Sequence, residues 1–223
     1  MIEKEILKYR LDRLVYSQNM LAAWKRDKKE FIDKYIKHIF WSDDSQIDRD
    51  YEENMSYGRD FHLMCQRIFL GIEPIRPASD YDKKLDKIRA IYRAYLDRYG
   101  DNIVFLPEYS LELRDRIQVT YDLLVKVYKD DSLVGLHIWD WKTEKRKIEK
   151  NYAENRMQTR VYMYVCKESV GLELGCSDIS MHYYQPAMDN HVIIEYSEDK
   201  HEANRHMIYS TIDEIRSLSI EEV

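Results

Sequence analysis

Glycine and proline are scarce in this chain, at six and four among 223 residues. So few backbone punctuators exclude a collagenous, linker-rich or low-complexity protein and imply long regular elements. Cysteine is scarcer still. Cys65, Cys166 and Cys176 are odd in number, widely spaced and form no CxxC pair. This excludes a disulfide framework and a zinc knuckle, and it suits a reducing compartment. No apolar run approaches the roughly 20 residues of a membrane span. The opening MIEKEILKYR is charged from its third residue and lacks the apolar stretch of a secretion signal. A cytoplasmic protein without a membrane partner is therefore expected. Positive charge is not in excess either, and the net charge of −6 argues against indiscriminate adhesion to nucleic acid.

What is present is charge of both signs and many aromatics, including nineteen tyrosines and four tryptophans, which ordinarily fill a core. A chain of this length suits one domain and can bury a core without disulfides or structural metals. Two basic clusters stand out. Lys25, Arg26, Lys28 and Lys29 read as a solvated face; Lys142, Lys145, Arg146, Lys147 and Lys150 form the second.

Residues 1–100 read as helical. Met20, Leu21, Trp24, Phe31, Tyr35, Ile36 and Ile39 recur at a helical period, predicting one helix from an N-cap at Ser17 to about Trp41, then a loop over Ser42–Ser45. A second helix is expected over Tyr51–Leu70, stopped by Gly71 before Pro74 and Pro77, and a third over Asp80–Tyr99, closed by Gly100. The pattern then turns to strands: Ile103–Leu113, a strictly alternating Ile117–Val127, a turn at Lys129–Ser132, and a returning Leu133–Trp141. A helix over Tyr152–Ser169, strands at Ile179–Gln185 and Val192–Tyr196, and a helix over Ala203–Leu218 complete the chain.

The hairpin carries chemistry. Centred on Asp131, it places Asp122 opposite Asp140, with Cβ atoms roughly 4.5–5.5 Å apart. Facing carboxylates repel unless a cation lies between them, and a hard divalent ion with oxygen ligands is the natural occupant. Period two puts Lys142 on the face of Asp140, where its ammonium can orient water and offset charge on a transferring phosphate. A one-residue slip would undo this. On spacing alone the segment equally fits a surface hairpin with scattered charges. Gln158 and Tyr162 share one helix face, and His62 lies mid-helix four residues after Gly58. Taken singly, each reads first as an ordinary structural residue.

Taken together, Gly58-Arg59-Asp60-Phe61-His62, Val119-Thr120-Tyr121-Asp122, Asp140-Trp141-Lys142-Thr143 and Gln158-Thr159-Arg160-Val161-Tyr162 resemble the RecB-like branch of the PD-(D/E)xK nuclease superfamily. Tyr16-Ser17-Gln18-Asn19-Met20-Leu21 also resembles the opening helix of such domains, so the resemblance covers about residues 14–200. It implies a restriction-endonuclease-like α/β fold, a small mixed sheet flanked by helices in three layers. Residues 1–223 would form one domain, with a helical part over 1–100 and an α/β core over 101–223.

The resemblance further implies that His62, Asp122, Asp140 and the Trp141 backbone carbonyl ligate Mg²⁺ or Mn²⁺. Lys142 would be the catalytic lysine beside Asp122 and Asp140, while Gln158 and Tyr162 would support the site or contact the DNA backbone. Glu108 matches an acidic residue often found on the first core strand. Lys145, Arg146, Lys147 and Lys150 would line the DNA path. Imidazole suits softer ions than magnesium, so activity with manganese is expected to exceed that with magnesium.

Three departures from the family pattern stand out. Val119 occupies a position that is commonly glycine, altering the backbone approach. The cysteines do not supply the iron–sulfur staple of some relatives, so no cluster is expected. No GxxxxGK[ST] loop occurs, so any helicase or recombination motor would act in trans. The implied activity is a deoxyribonuclease in DNA end processing, recombination or repair, with exonuclease action placed ahead of endonuclease action. The alternative is an inactive nucleic-acid-binding or assembly module of the same fold.

Overall fold

The computed structural model describes residues 4–39, 46–72, 82–219 and 221. Among them are eight α-helices, α1 (Lys4–Leu11), α2 (Gln18–Arg26), α3 (Lys28–Phe31), α4 (Gln46–Phe69), α5 (Asp82–Tyr99), α6 (Lys150–Asn155), α7 (Met157–Lys167) and α8 (Glu198–Arg216). The five strands are β1 (Ile103–Glu112), β2 (Gln118–Lys129), β3 (Ser132–Trp141), β4 (Ile179–Gln185) and β5 (Asn190–Glu195). The expected loop Ser42–Ser45, the prolines at Pro74 and Pro77 and the expected helix start at Asp80 lie outside the described residues.

Two expected helices are broken. Ser17 does cap α2, accepting from the Met20 N–H, but Asp27 leaves helical geometry at φ −155° and ψ 107°. Its carboxylate then caps α3 through the Lys29 and Glu30 N–H groups, and a π-helical stretch over Ile32–Ile36 follows. An acceptor side chain inside an apolar periodicity restarted the helix rather than continuing it. The expected Tyr152–Ser169 helix is likewise split at Arg156, whose ψ of 140° separates α6 from α7. The glycine stops at Gly71 and Gly100 both have positive φ, as helix C-caps require.

The sheet runs in chain order β1-β2-β3-β4-β5, antiparallel except for the parallel β3–β4 pair, across which α6 and α7 make the connection. Asp130 and Asp131, with φ of 49° and 61°, form the two-residue β2–β3 turn, a geometry matched to strand twist. The turn alone would set a register one residue away from the expected one. A bulge between Val127 and Tyr128 restores it, so that Val127↔Gly135 through Leu123↔Trp139 pair as a hairpin centred on Asp131 would have them.

Alternation along β3 and along Leu123–Val127 of β2 divides the core between the two faces of the sheet. The strict alternation expected over Ile117–Val127 is interrupted at Asp122, with Ile117, Val119 and Tyr121 in one core and Leu123, Val125 and Val127 in the other. Val119, Tyr121, Leu124, Leu136 and Ile138 join the residues of α1–α3, α7 and α8. Leu123, Val125, Val127, Trp139 and Trp141 pack beneath α4 and α5 with Phe61, Phe69 and Leu85. The helical first hundred residues therefore serve both faces. The result is a mixed sheet between helical layers, a restriction-endonuclease-like α/β fold. Among the described residues, no helix is long and apolar enough to cross a membrane.

Candidate active site

A cavity of about 770 Å³ opens where the β2–β3 ladder ends. Its lining includes Gln18 and Asn19 from α2, Gly58 and His62 from α4, Glu108 from β1, Asp122 from β2, Asp140 and Trp141 from β3, Lys142 and Thr143 just beyond, and Gln158 from α7. The last β2–β3 pair is Leu123↔Trp139, so Asp122 and Asp140 stand one residue past it. Instead of continuing the ladder, Asp122 Oδ2 accepts the Trp141 N–H at 2.7 Å. β3 is held beyond this point by β4, where the Lys142 N–H donates to the Tyr184 carbonyl.

Glu108 lies across from Asp122, between the pairs Pro107↔Leu123 and Tyr109↔Tyr121, with φ at 50°. A non-glycine residue in the left-handed region inside a strand is strained, and this one places a carboxylate in the cavity. His62 reaches in from α4, its Nδ1 at 3.2 Å from Asp122 Oδ1. Gly58, one turn earlier, faces the loop after β3, where a Cβ would meet Thr143 Oγ1 at 3.6 Å, an ordinary contact that does not itself demand glycine.

One ligand atom from each of His62, Glu108 and Asp122 falls within 4.8 Å of the other two. Two hard oxygen donors and an imidazole at that separation fit a divalent cation. Burial opposes the charged form of His62, but the Asp122 hydrogen bond and the Asp122 and Asp140 charges outweigh it and raise its pKa. Partial burial and the Asp122 charge likewise raise Glu108. Such mutual repulsion is what a bound cation relieves.

Asp140 is the buried member, only 1% exposed. Lys142 Nζ lies 2.8 Å from its Oδ2, and Gln158 Nε2 donates to its Oδ1 at 2.5 Å. Burial holds the Asp140 carboxyl above the usual range against the pull of Lys142, with Asp122 adding to the rise. The Oδ2 contact is ionic, without hydrogen-bond geometry, so this buried oxygen keeps room for another partner.

The hairpin acids, His62, Glu108, Lys142 and Gln158 are thus gathered around one cavity. Glu108 rather than Asp140 completes the tight three-donor group. Tyr162 is placed differently. Its hydroxyl donates to the Thr120 carbonyl at 2.7 Å and anchors the Asp122 strand from behind. Lys145, Arg146, Lys147 and Lys150 are exposed on the segment leading into α6 and do not line the cavity. Lys25 and Arg26 pair with Glu214 and Glu30, and Lys28 covers the Trp24 ring, as a solvated structural face would. Val119 is buried in the core, and Cys65, Cys166 and Cys176 are buried and free. Arg156, absent from the sequence reading, lines the cavity; a basic residue inside a helical period gave no signal.

A mixed sheet whose β2 and β3 deliver two acids and a lysine to one end defines a class of phosphodiester-cleaving folds. The family model of the PD-(D/E)XK nuclease superfamily matches residues 85–222, and the chain belongs to that superfamily. Among solved structures, the chain is similar to a candidate exonuclease from Eubacterium rectale at 13% identity and a TM-score of 0.49, covering 100% of this chain and 88% of that one. It is also similar to the protein SSO0001 at 10% identity and a TM-score of 0.44, covering 94% and 84%. No curated protein matches.

Proposed function

We propose that the chain is a metal-dependent DNA nuclease acting in end processing, recombination or repair in the cytoplasm, with residues 1–223 as one nuclease domain. The observation that carries this reading is the convergence of His62, Glu108 and Asp122 beside the buried Asp140–Lys142 pair. In this reading His62, Asp122, Asp140, the Trp141 carbonyl and Glu108 hold Mg²⁺ or Mn²⁺. The ion would supply Lewis-acid polarisation of the phosphate and a lowered pKa for water.

The chain's own groups do the rest. Asp140 fixes the Lys142 ammonium at 2.8 Å, aimed into the cavity, where it orients water and offsets charge gathering on the phosphate oxygens. Gln158 pins the other Asp140 oxygen and so fixes the carboxylate plane. Tyr162 supports the Asp122 strand. Exonuclease action is the preferred mode, and a closed circular substrate separates it from endonuclease action.

The test is cleavage of labelled DNA with Mg²⁺ and with Mn²⁺. Asp140→Asn and Lys142→Ala should each lower metal-dependent cleavage by a factor of about 10²–10³, the range seen when one transition-state group is removed. Near-native cleavage by either variant would overturn the assignment.

A further inference from the structure

We propose that Arg156 is an additional substrate-binding residue, a clamp for a backbone phosphate beside the Asp140–Lys142 pair. This rests on the nuclease reading above. The guanidinium lines the cavity and lies between two rings, 5.4 Å from the Tyr152 centroid and 5.7 Å from that of Tyr183. The Lys142 ammonium stands 5.8 Å from the same Tyr183 ring. One buried tyrosine, itself fixed through Thr159 at 2.8 Å, thus has both cations within 5.8 Å of its ring centre.

The local arrangement is poorly explained by stability. Nη2 donates to Glu144 at 3.1 Å, but Nη1 is buried with no hydrogen-bond partner, which is costly for a cationic donor. Glu144 is 44% exposed, so its ion pair contributes little. Arg156 is also the N-cap of α7 and makes no side-chain capping bond. Asn, Asp, Ser or Thr would stabilise that end, whereas a guanidinium opposes the helix dipole. Both costs, the unpartnered guanidinium N–H and the cation at an uncapped helix end, fall when an anion arrives. A phosphate oxygen meets the planar N–H fork and the positive helix end together. Glu144 is then a placeholder, its carboxylate standing where the substrate anion will sit until exchange. No covalent bond changes in this step.

The test uses the full chain and a labelled duplex oligonucleotide with single-stranded overhangs. Cleavage is followed with Mn²⁺, and affinity is followed with Ca²⁺ in its place as salt is raised. Arg156→Ala should raise KM and Kd about tenfold or more, with a smaller fall in kcat. It should also flatten the slope of log Kd against log salt by about 0.7–0.9, one phosphate contact. Glu144→Gln should tighten binding about threefold; looser binding would overturn the placeholder role. Should Arg156→Ala disturb the α6–α7 corner, Arg156→Gln gives the same comparison with an aliphatic stem and a polar, uncharged end kept.

Native KM and salt slope in the Arg156 variants of a cleaving enzyme would discard the clamp and leave the nuclease reading intact. A native chain that cleaves with neither metal would sink the nuclease reading instead. The clamp would still be judged by whether the salt slope depends on Arg156, and absence of any binding would overturn both.

Discussion

Tyr162→Phe separates two roles for the tyrosine of the Gln-x-x-x-Tyr pattern, support of the site and contact with DNA. The hydroxyl donates to the Thr120 carbonyl at 2.7 Å and meets Gln18 Nε2 only at 3.5 Å. Thr120 lies two residues before Asp122, past the end of the β2–β3 ladder, so this bond replaces the missing strand contact. Removing it deletes one neutral hydrogen bond, about 0.5–1.5 kcal/mol, and leaves a partly buried carbonyl short of a partner. The ring keeps its edge-on packing against Tyr121 at 5.1 Å, so no cavity opens. The expected loss is about 1–2 kcal/mol, at about 2–4 °C of melting temperature per kcal/mol for a chain of this size. Calorimetric melting without metal measures it, beside steady-state cleavage. With the strand tie loosened, kcat should fall while KM for DNA stays put. An unchanged melting temperature together with a raised KM would refute this reasoning, because the hydroxyl would then be touching substrate.

Other outcomes follow from the same geometry. Glu108→Gln should weaken Mn²⁺ binding about tenfold by titration calorimetry, since it removes a charged donor from the three-residue group; native affinity would remove Glu108 from the ligand set. Neutralising Lys145, Arg146, Lys147 and Lys150 together should weaken DNA binding and flatten its salt slope by up to about 3.6. An unchanged slope would make them a solvated face. His182 bears on pH. Burial, with His137 and His191 adding to it, pushes its pKa down to about 3, against about 6.5 when unfolded. The unfolded chain therefore binds more protons between those values. The His182 contribution is complete above about pH 6.5 and declines toward pH 3 at up to about 1.4 kcal/mol per pH unit. Urea melts of native protein and His182→Gln at pH 7 and pH 5 should show a shallower decline in the variant; identical declines would rule the linkage out.

Sequence periodicity was enough for the extent of the strands and their polar turn but not for their faces. The apolar alternation along Ile117–Val127 runs unbroken across Asp122, where the structure switches from one core to the other. The β2–β3 register came out as expected from Val127↔Gly135 to Leu123↔Trp139, one residue short of Asp122 and Asp140, for a different reason. The two-residue Asp130–Asp131 turn and the bulge at Val127/Tyr128 each shift it by one and cancel over that stretch. The Asp27 break had a readable signal, an acidic cap three residues before Glu30, yet the apolar spacing ran on across it. Arg156 had none, since nothing in a helical pattern marks a guanidinium for an N-cap. The positive φ of Glu108 is similarly silent in sequence, because a strained backbone is stabilised by its surroundings rather than by its own residue type.

The long helix α4 has a practical consequence for anyone trimming this protein. The superfamily match begins at residue 85, so a fragment spanning 85–222 would retain every strand, both hairpin acids and the lysine. It would lose the imidazole, and with Phe61, Cys65, Ile68 and Phe69 gone it would uncover the part of the sheet's apolar face around Trp141, on which Phe69 stacks at 5.8 Å. A contiguous greasy panel of that kind drives self-association. The minimal cassette drawn from sequence matching alone should precipitate before it could be assayed.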